Sequence, residues 1–527
     1  MVKYRQYFFL FIAAVTLFRL FYIGGGGPLG LIPDEAHYWE WSRRLDLSYY
    51  SKGPAIAWII ALSTAILGDT EFAVRIGAVL FSLVGSLLLY SLTKDIFKSE
   101  RAALLSILIL NLTPLYAVGS ILMTTDAPFI LAWGVTVYLF RRAVRGNGSP
   151  FWYLAGIAVG FGLLSKYIMG LIFPCMLLYL IMSRDDRHWL TRREPYIATL
   201  ISLLVFSPVI LWNIRNGWVT IRHTMGQAHV EAGLGFSLDS VLEFVGGQAG
   251  LITPLIFLGL LYAVVKCGVA GLGGFGGGAF AAGGAELSRR KRDYILLFCM
   301  SVPVLLFFLV KSGQGKVQGN WAAAGYITAF IATGGVWDNI YSRYERRRGL
   351  GKSAITVLFC GALLLSLVAT TAVHYPRLLT MAGMKRVLQK APYNRIVGWE
   401  GAGEAVGEVY REMERRNRSF IVGGTYQTAS ELAFYIPGHP TLYNIYLGNR
   451  RMNQYDIWPG FETLIGYDAL YVKGGAGSIE GKVAAAFDEC GREVVSIAER
   501  GEVVRTITLF KCRNFKGMEQ REGDWSY

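Results

Sequence analysis

The chain has 527 residues, of which 53% are hydrophobic and only 17% are charged, and its formal net charge is +15. Soluble domains carry about 25% charged residues, so the composition excludes an ordinary soluble domain. A nucleic-acid-binding protein is also disfavoured, because the basic residues lie in short clusters between apolar runs and form no stripe in a polar segment. The composition indicates a polytopic α-helical membrane protein.

Apolar runs suited to a bilayer core of about 30 Å recur over the first three quarters of the chain. The first follows MVKYRQ and has no small-residue cleavage site after it, so we expect an uncleaved first span. We predict about eleven spans, at 6–23, 73–93, 102–118, 127–140, 151–164, 168–183, 196–213, 248–265, 294–310, 321–341 and 353–374. One further run, 55–68, is short, and such runs are more often re-entrant or interfacial than spanning.

The distribution of Lys and Arg decides whether 55–68 crosses the membrane. With a cytoplasmic N-terminus and no crossing there, the cytoplasmic loops hold the basic clusters at 94–101, 141–145, 184–193, 289–292 and 343–352. A crossing would move all of them outside, against the positive-inside rule. We therefore predict that 55–68 does not span, that the N-terminus is cytoplasmic and that the C-terminus is outside.

This topology places most of the unusual polar residues on or near the outer face. Ionisable groups at a membrane edge are costly and tend to be functional, although a lone Lys166 or Arg215 would also suit a side chain that snorkels to head groups. Together they suggest a charged cavity that opens outward. They are Asp34, Glu35, His37, Lys52, Asp126, Lys166, Arg215, Arg222, His223, His229, Lys316 and Asn320.

Two segments differ from the apolar runs. Residues 267–292 are glycine-rich and then basic; they lack the GK[ST] of a phosphate loop, and we predict a flexible cytoplasmic loop. Residues 375–527 are more polar, with strands predicted at 418–424, 468–475 and 503–512 and helices at 398–416 and 480–491. We expect a membrane domain over 1–374, with a first external loop at 24–72, and an external α/β domain over 375–527. Cys490 and Cys512 are candidates for a disulfide that spacing alone cannot establish.

Carboxylates and cations at an outer membrane edge suit sugar transfer from a lipid-linked sugar phosphate. A carboxylate, Asp34 or Glu35, would accept the proton of the attacking hydroxyl, and cations such as Lys52, Lys166 and Arg222 would stabilise the departing phosphate. Adjacent acids at a helix start also serve as a simple cap. The nearby aromatic residues suit either sugar stacking or an interfacial belt; they are Tyr38, Trp39, Trp41, Tyr49 and Tyr50.

Several stretches, in order along nearly the whole chain, resemble one family. They are PDEAHYWEWSRRLDLSYYSKGPAIAWIIAL, GDTEFAVRIGAVLFS, TTDAPFILAW, GLLSKYIMGLIFP, SPVILWNIRNGWVTIRHTMGQA, GNWAAAGY, ASELAFYIPGHP and NQYDIWPG. The pattern resembles the bacterial branch of the dolichyl-phosphate-mannose:protein mannosyltransferase-like family, which are GT-C glycosyltransferases related to the lipid A aminoarabinose transferases.

The resemblance implies a GT-C fold with re-entrant or juxtamembrane helices in the first external loop. It also implies a multi-pass protein of the bacterial inner membrane that transfers a monosaccharide, with inversion, from a polyprenyl-phosphate donor on the extracytoplasmic face. Asp34 matches the family's essential acid, with Glu35 beside it, and Asp126 matches a second acid. Lys52 matches the lysine that contacts the donor phosphate, and Lys166 matches the lysine of the SK or TK turn.

The remaining site residues depend on weaker signals. We take Tyr38, Tyr50, Asn320 and Trp321 as lining the substrate cavity. His37 replaces an Arg of the aminoarabinose transferases, and it would either share the phosphate role or be a neutral interfacial histidine. Ser51 replaces a Glu linked to metal in those relatives, so no metal is predicted, although a divalent ion is possible. His223 and His229 are spaced i, i+6 and do not share a helix face, which disfavours a metal site.

Two other functional classes remain as alternatives. A transporter or flippase for a lipid-linked glycan would use the same outward cations, but the chain has no repeated halves. A non-catalytic receptor with a lectin-like outer domain has no supporting signature. The sugar is open, and so is the acceptor, which we expect to be an envelope glycolipid or glycan or a protein.

Overall fold

The computed structural model describes most of the chain and divides it into two compact units. The described residues are 2–146, 148–227, 235–273, 284–346, 350–381, 383, 395–445, 447, 452–461, 463–499 and 501–518. The first unit comprises Met1–Gly26, Arg75–Leu211 and Glu231–His374, and the second comprises Gly27–Val74, Trp212–Val230 and Tyr375–Tyr527. The second unit therefore joins a segment near the N-terminus to the C-terminal region.

The secondary structure is mostly helical. The α-helices are α1 Val2–Phe21, α2 Pro33–Ser42, α3 Ala55–Leu67, α4 Glu71–Phe97, α5 Glu100–Leu112, α6 Pro114–Gly119, α7 Asp126–Val144, α8 Ser149–Ser165, α9 Ile172–Met182, α10 Glu194–Arg215, α11 Val219–Gln227, α12 Leu238–Ile252, α13 Pro254–Gly271, α14 Gly284–Ser312, α15 Ala323–Arg346, α16 Leu350–His374, α17 Arg377–Met381, α18 Trp399–Arg416, α19 Tyr426–Tyr435 and α20 Gly481–Ala485. The strands are β1 Ser419–Gly423, β2 Leu442–Asn444, β3 Asp468–Gly474, β4 Glu489–Glu499 and β5 Glu502–Arg513.

Seven helices of the described chain are long and apolar enough to cross a bilayer. They are Lys3–Gly26, Glu71–Phe97, Asp126–Val144, Glu194–Arg215, Pro254–Gly271, Leu287–Ser312 and Ser353–His374. The other four predicted runs correspond to α8, α9, α15 and the α5–α6 pair. The run at 102–118 is broken where α5 ends and α6 begins at Pro114, because proline cannot donate the hydrogen bond that would continue the first helix.

The short run at 55–68 forms α3, which has 13 residues. At 1.5 Å per residue it extends about 20 Å, which is shorter than a bilayer core of about 30 Å. By its contacts within the chain, α3 belongs to the second unit, which also contains the C-terminal region.

The second unit contains one five-stranded sheet with strand order β2-β1-β3-β5-β4. β1 pairs in parallel with β2 and β3, and β5 pairs antiparallel with β3 and β4. The three predicted strands are confirmed as β1, β3 and β5, and the predicted helix at 398–416 is confirmed as α18.

Two local expectations are corrected. The helix predicted at 480–491 ends at Ala485, because residues from Glu489 onward pair with β5 as β4. Cys490 lies opposite Cys512 in that pairing, and the two form a disulfide. The loop predicted at 267–292 is also narrower than expected: α13 continues to Gly271 and α14 starts at Gly284, so the basic cluster 289–292 is helical. Residues 274–283 lie outside the described residues.

Candidate functional site

In the first unit, three predicted residues meet around one carboxylate. Lys166 Nζ lies 2.6 Å from Asp126 Oδ1, and Asn320 Nδ2 donates to Asp126 Oδ2 over 2.6 Å. Asp126 begins α7, Lys166 caps the C-terminus of α8, and Asn320 lies in the short 3₁₀ helix Gly319–Ala322. The antiparallel pair α7–α8 therefore brings the acid and the lysine to the same end.

This cluster is nearly closed to solvent. The side chain of Lys166 is 7% exposed and that of Asp126 is 18% exposed. Both carboxylate oxygens of Asp126 are engaged, one by a cation and one by an amide. This arrangement favours a role for Asp126 in positioning Lys166 over a role as a proton acceptor. Trp321 follows Asn320 in the same 3₁₀ helix and is partly exposed.

At the opposite end of α7 lies a second group of charges. Arg141 Nε lies 2.7 Å from Asp293 Oδ1, and Arg141 also pairs with Asp95. Arg292 pairs with the buried Asp186 over 2.9 Å. Arg141 and Arg292, two of the basic residues predicted to be cytoplasmic, are thus paired with acids, while the cluster of Asp126 lies at the other end of α7.

In the second unit, α2 carries the two adjacent acids, and they have different surroundings. Pro33 begins the helix, which suits a first position whose N–H would lack a partner. Glu35 is fully buried, and its Oε2 accepts from the backbone N–H of Ile32 over 3.1 Å. Asp34 is exposed. The geometry favours a capping role for Glu35 over the catalytic role, and leaves Asp34 as the accessible carboxylate.

His37 lies inside the contact between α2 and α19. Its Nδ1 lies 2.9 Å from Ser430 Oγ, and Trp41 Nε1 donates to its Nε2 over 3.2 Å. Because an indole N–H only donates, Nε2 must be the unprotonated nitrogen and Nδ1 carries the proton. Burial lowers the pKa of His37 to about 3. With both nitrogens engaged, the neutral alternative is favoured over phosphate binding.

A tight turn holds the backbone around Lys52. The N–H of Tyr49 donates to the carbonyl of Lys52 over 3.2 Å, and the N–H of Tyr50 donates to Gln454 Oε1 over 2.6 Å. Tyr50 is buried, with its ring 4.7 Å from that of His223. The side chain of Lys52 is partly exposed. The turn therefore holds the backbone of Lys52 in place, and with it the point from which the lysine side chain extends.

The other predicted residues of this unit are divided between surface and core. Arg222 is exposed on α11, where Thr220 Oγ1 donates to the carbonyl of Tyr49 over 3.3 Å. Tyr38 is 7% exposed and its ring lies 5.1 Å from Trp41, which indicates a packing role. His229 lies outside the described residues. Within the described parts of the chain, no three His, Cys, Asp or Glu side chains are grouped as metal ligands.

The C-terminal region contributes residues to this contact that were not predicted from the sequence. Ser430 and Gln454 contact the first external loop, and Tyr426 places its ring 4.9 Å from His37. Burial and then the Asp34 carboxylate raise the pKa of Tyr426 well above its usual value. Tyr426 lies three positions before ASELAFYIPGHP, and Gln454 lies within NQYDIWPG, so the resemblance of these two stretches to the family was the available signal.

Comparisons with known proteins agree with this architecture. The family described as "Dolichyl-phosphate-mannose-protein mannosyltransferase" matches residues 51–212. The chain is similar in fold to the crystal structure of ArnT from Cupriavidus metallidurans in the apo state, with a TM-score of 0.59 and 15% identity over 96% of this chain and 98% of that chain. The same protein bound to undecaprenyl phosphate gives a TM-score of 0.60 at 14% identity, over 95% of this chain and 97% of that chain.

Two curated relatives are similar in sequence. Lipid A galacturonosyltransferase RgtD of Rhizobium johnstonii is 28% identical over 367 residues, which is 69% of this chain and 71% of the relative. An undecaprenyl phosphate-alpha-4-amino-4-deoxy-L-arabinose arabinosyl transferase of Erwinia tasmaniensis is 28% identical over 341 residues, which is 59% of this chain and 56% of the relative. The chain thus spans little more than half the length of the second relative.

The helical membrane unit, the sheet unit and these similarities define a multi-pass membrane glycosyltransferase of the GT-C fold. More particularly, its similarities are to the dolichyl-phosphate-mannose-protein mannosyltransferase family and to the lipid A aminoarabinose transferases.

Proposed function

We propose that this glycosyltransferase moves a monosaccharide from a polyprenyl-phosphate donor to an envelope glycolipid, with inversion, on the extracytoplasmic face of the inner membrane. The relatives support the donor and acceptor classes: one is named for lipid A, another for an undecaprenyl-phosphate sugar, and ArnT was solved with undecaprenyl phosphate. Other glycans and protein hydroxyls are further acceptors of the same chemical kind.

The observation that carries the proposal is the different environment of the acids. Asp34 is exposed at the first turn of α2, whereas Glu35 is buried in a cap and Asp126 has both oxygens occupied. A general base needs an oxygen that a substrate can reach. Asp34 is therefore the proposed base.

The reaction then follows an inverting displacement. The acceptor oxygen forms a bond to the anomeric carbon, the bond from that carbon to the phosphate oxygen breaks, and polyprenyl phosphate leaves. The hydroxyl proton passes to Asp34. Lys52 and Arg222 are the proposed cations for the donor phosphate, since N–H donors aimed at developing negative charge stabilise the transition state.

Asp34→Asn tests the assignment of the base. The amide keeps the size of the side chain but accepts no proton, so we expect transfer of radiolabelled sugar from donor lipid to be abolished in a purified protein that elutes and melts like the wild type. Glu404→Gln is the matched control, because Glu404 is an exposed acid on α18. Full activity of Asp34→Asn would remove Asp34 from this role.

A flippase for a lipid-linked glycan is the second candidate, supported by the partly exposed Lys52 and the exposed Arg222. Transfer in detergent separates the two, since an enzyme works without a sealed membrane and a flippase does not.

A further inference from the structure

The two ends of the first external loop meet at one tyrosine of the C-terminal region. Tyr435 is the last residue of α19. Its hydroxyl accepts the backbone N–H of Leu31 over 2.7 Å and donates to Glu71 Oε1 over 2.5 Å. Leu31 lies just before α2, and Glu71 is the first residue of α4. One oxygen atom of the second unit therefore joins three segments that are far apart in the chain.

The surroundings of this hydroxyl keep it in place. Leu31 is fully buried, and a buried N–H that loses its acceptor is costly. A Cβ atom at Gly30 would lie 2.6 Å from the hydroxyl oxygen, so only glycine at position 30 leaves the hydroxyl where it is. Burial, and then the Glu71 carboxylate, raise the pKa of Tyr435 far above its usual value. The hydroxyl therefore stays protonated and remains a donor at any pH used in an assay.

The bond to Leu31 acts on the turn that carries Asp34. The N–H of Leu31 donates to Tyr435, and the next N–H, that of Ile32, donates to Glu35 Oε2 over 3.1 Å. Asp34 is the second residue of α2, three positions after Leu31, and its side chain is exposed. Two consecutive N–H groups ahead of the helix are thus held by side chains, and they set the backbone from which the Asp34 carboxylate extends.

The middle and the end of α2 are held by other contacts. Trp39 Nε1 donates to Asp69 Oδ1 over 2.7 Å. Arg43, which follows the helix, donates to the carbonyl of His439 over 2.7 Å. Neither bond involves Tyr435. Loss of the Tyr435 hydroxyl should therefore loosen the first turn of α2 while the rest of the helix stays packed, which separates positioning from folding.

We propose that Tyr435 is a positioning residue for sugar transfer, because its hydroxyl sets the first turn of α2 and thereby the place of the Asp34 carboxylate. The inference rests on the proposed function, in which Asp34 accepts the proton of the attacking hydroxyl. A general base works only within hydrogen-bond reach of the proton that it accepts, and a displacement of about 1 Å can lower a rate about 100-fold. Tyr435 acts on the reaction through Asp34.

Tyr435→Phe removes the hydroxyl and keeps the ring. We expect kcat for transfer from donor lipid to fall about 10- to 100-fold. The KM values of donor and acceptor should stay within about 2-fold of the wild type, because the substrates still bind. Tyr471→Phe is the matched control, since Tyr471 is buried in β3 and its hydroxyl donates to Glu480 Oε2 over 2.8 Å. It should keep the wild-type kcat, and an equal kcat in the two variants would overturn the proposal.

Position 30 provides a second test that leaves the tyrosine in place. Gly30→Ala puts a methyl group against the hydroxyl, so kcat should fall as it does in Tyr435→Phe. With the hydroxyl gone, the nearest atoms to that methyl group are Tyr435 Cζ and Glu71 Oε1, each at 3.5 Å, which is ordinary contact. Gly30→Ala should therefore cost nothing further in Tyr435→Phe. Losses that add in the double variant would contradict an action through one shared bond.

Hydrogen–deuterium exchange measures the hold on α2 without any transfer reaction. In the full-length protein in detergent, Tyr435→Phe should speed exchange in the peptide 28–35 at least about 10-fold and leave the peptide 37–44 as in the wild type, since exchange follows local opening. Unchanged exchange over 28–35 overturns the proposal, and so does faster exchange with an unaltered kcat. Faster exchange in the variant, together with no transfer by the wild type, would contradict the proposed function and leave the hold of Tyr435 on α2 intact.

Discussion

The amide oxygen of Gln454 accepts a 2.6 Å hydrogen bond from the backbone N–H of Tyr50, and both residues are buried. The two residues are 404 positions apart in the chain. Because Tyr50 belongs to the turn that leads to Lys52, a residue of the C-terminal region fixes part of the backbone that carries a proposed phosphate ligand.

We expect Gln454→Met to destabilise the protein and to weaken donor use. The substitution keeps the length of the side chain but leaves a buried N–H without its acceptor, which costs about 1–3 kcal/mol. Thermal unfolding in detergent and the donor KM measure the two effects. Gln314→Met is the control, since Gln314 is exposed and its side-chain oxygen accepts a hydrogen bond from Lys311 Nζ. Equal melting temperatures for the Gln454→Met variant and the wild type would contradict the prediction.

Lys52→Ala should impair donor use more than acceptor use. Loss of a charged donor to the phosphate is expected to lower kcat/KM for the donor about 10- to 100-fold, on the basis of about 1.5–3 kcal/mol for hydrogen bonds to charged groups. Steady-state kinetics with each substrate varied in turn measure the difference. Lys482→Ala, an exposed lysine of the sheet unit, serves as the control. A larger effect on the acceptor would remove Lys52 from the phosphate role.

The pair Lys166–Asp126 should behave as one charge-compensated unit. Lys166→Met alone leaves a mostly buried carboxylate without its cation, and we expect a loss of about 3 kcal/mol in unfolding free energy. Asp126→Asn added to Lys166→Met should recover part of that loss, because both charges are then gone. Melting temperatures of the four proteins form a double-mutant cycle. Simple additivity of the two single losses would show that the residues do not act together.

The stability of the protein should fall as the pH is lowered below neutrality, in part through His37. Its folded pKa is about 3, whereas an unperturbed histidine has a pKa of 6.5, so between these values the unfolded chain binds the extra proton. The unfolding free energy then falls by at most about 1.4 kcal/mol per pH unit from this group. Melting temperatures from pH 7 to pH 5 should decline less steeply for His37→Gln than for the wild type.

The exposed His188 provides the matched control. His188→Gln should leave the slope of melting temperature against pH as it is in the wild type. If the slope of His37→Gln equalled that of the wild type, His37 would not be held neutral in the folded protein.

Much of the secondary structure could be predicted, because helices and strands depend mainly on residues that are close together in the sequence. β-branched and aromatic residues indicated β1, β3 and β5, and amphipathic spacing indicated α18. The segment EGKVAAAFDECG, predicted as a helix over 480–491, contains good helix formers such as Ala, Glu and Lys. From Glu489 onward, pairing with β5 overrides this helix propensity, and the Cys490–Cys512 disulfide links the two strands.

The candidate site was less accessible to sequence reasoning. Asp126, Lys166 and Asn320 were all predicted to lie near the outer membrane face, and the structure groups them. Their positions at or beside helix ends made this grouping predictable from the topology. The different environments of Asp34 and Glu35 could not be predicted, because the burial of α2 depends on α19. Ser430 lies 393 positions from His37, and no local pattern indicates such a contact.

The second unit is discontinuous in the chain, so its parts are synthesised at different times. A ribosome adds about 5–20 residues per second, so α2 leaves it on the order of tens of seconds before its partner α19 has been made. During that interval the face of α2 that contacts α19, which includes His37, lacks its partner in the nascent protein. We therefore expect insertion factors or chaperones to shield this helix, and truncated chains that stop before Tyr426 to be degraded rather than to accumulate.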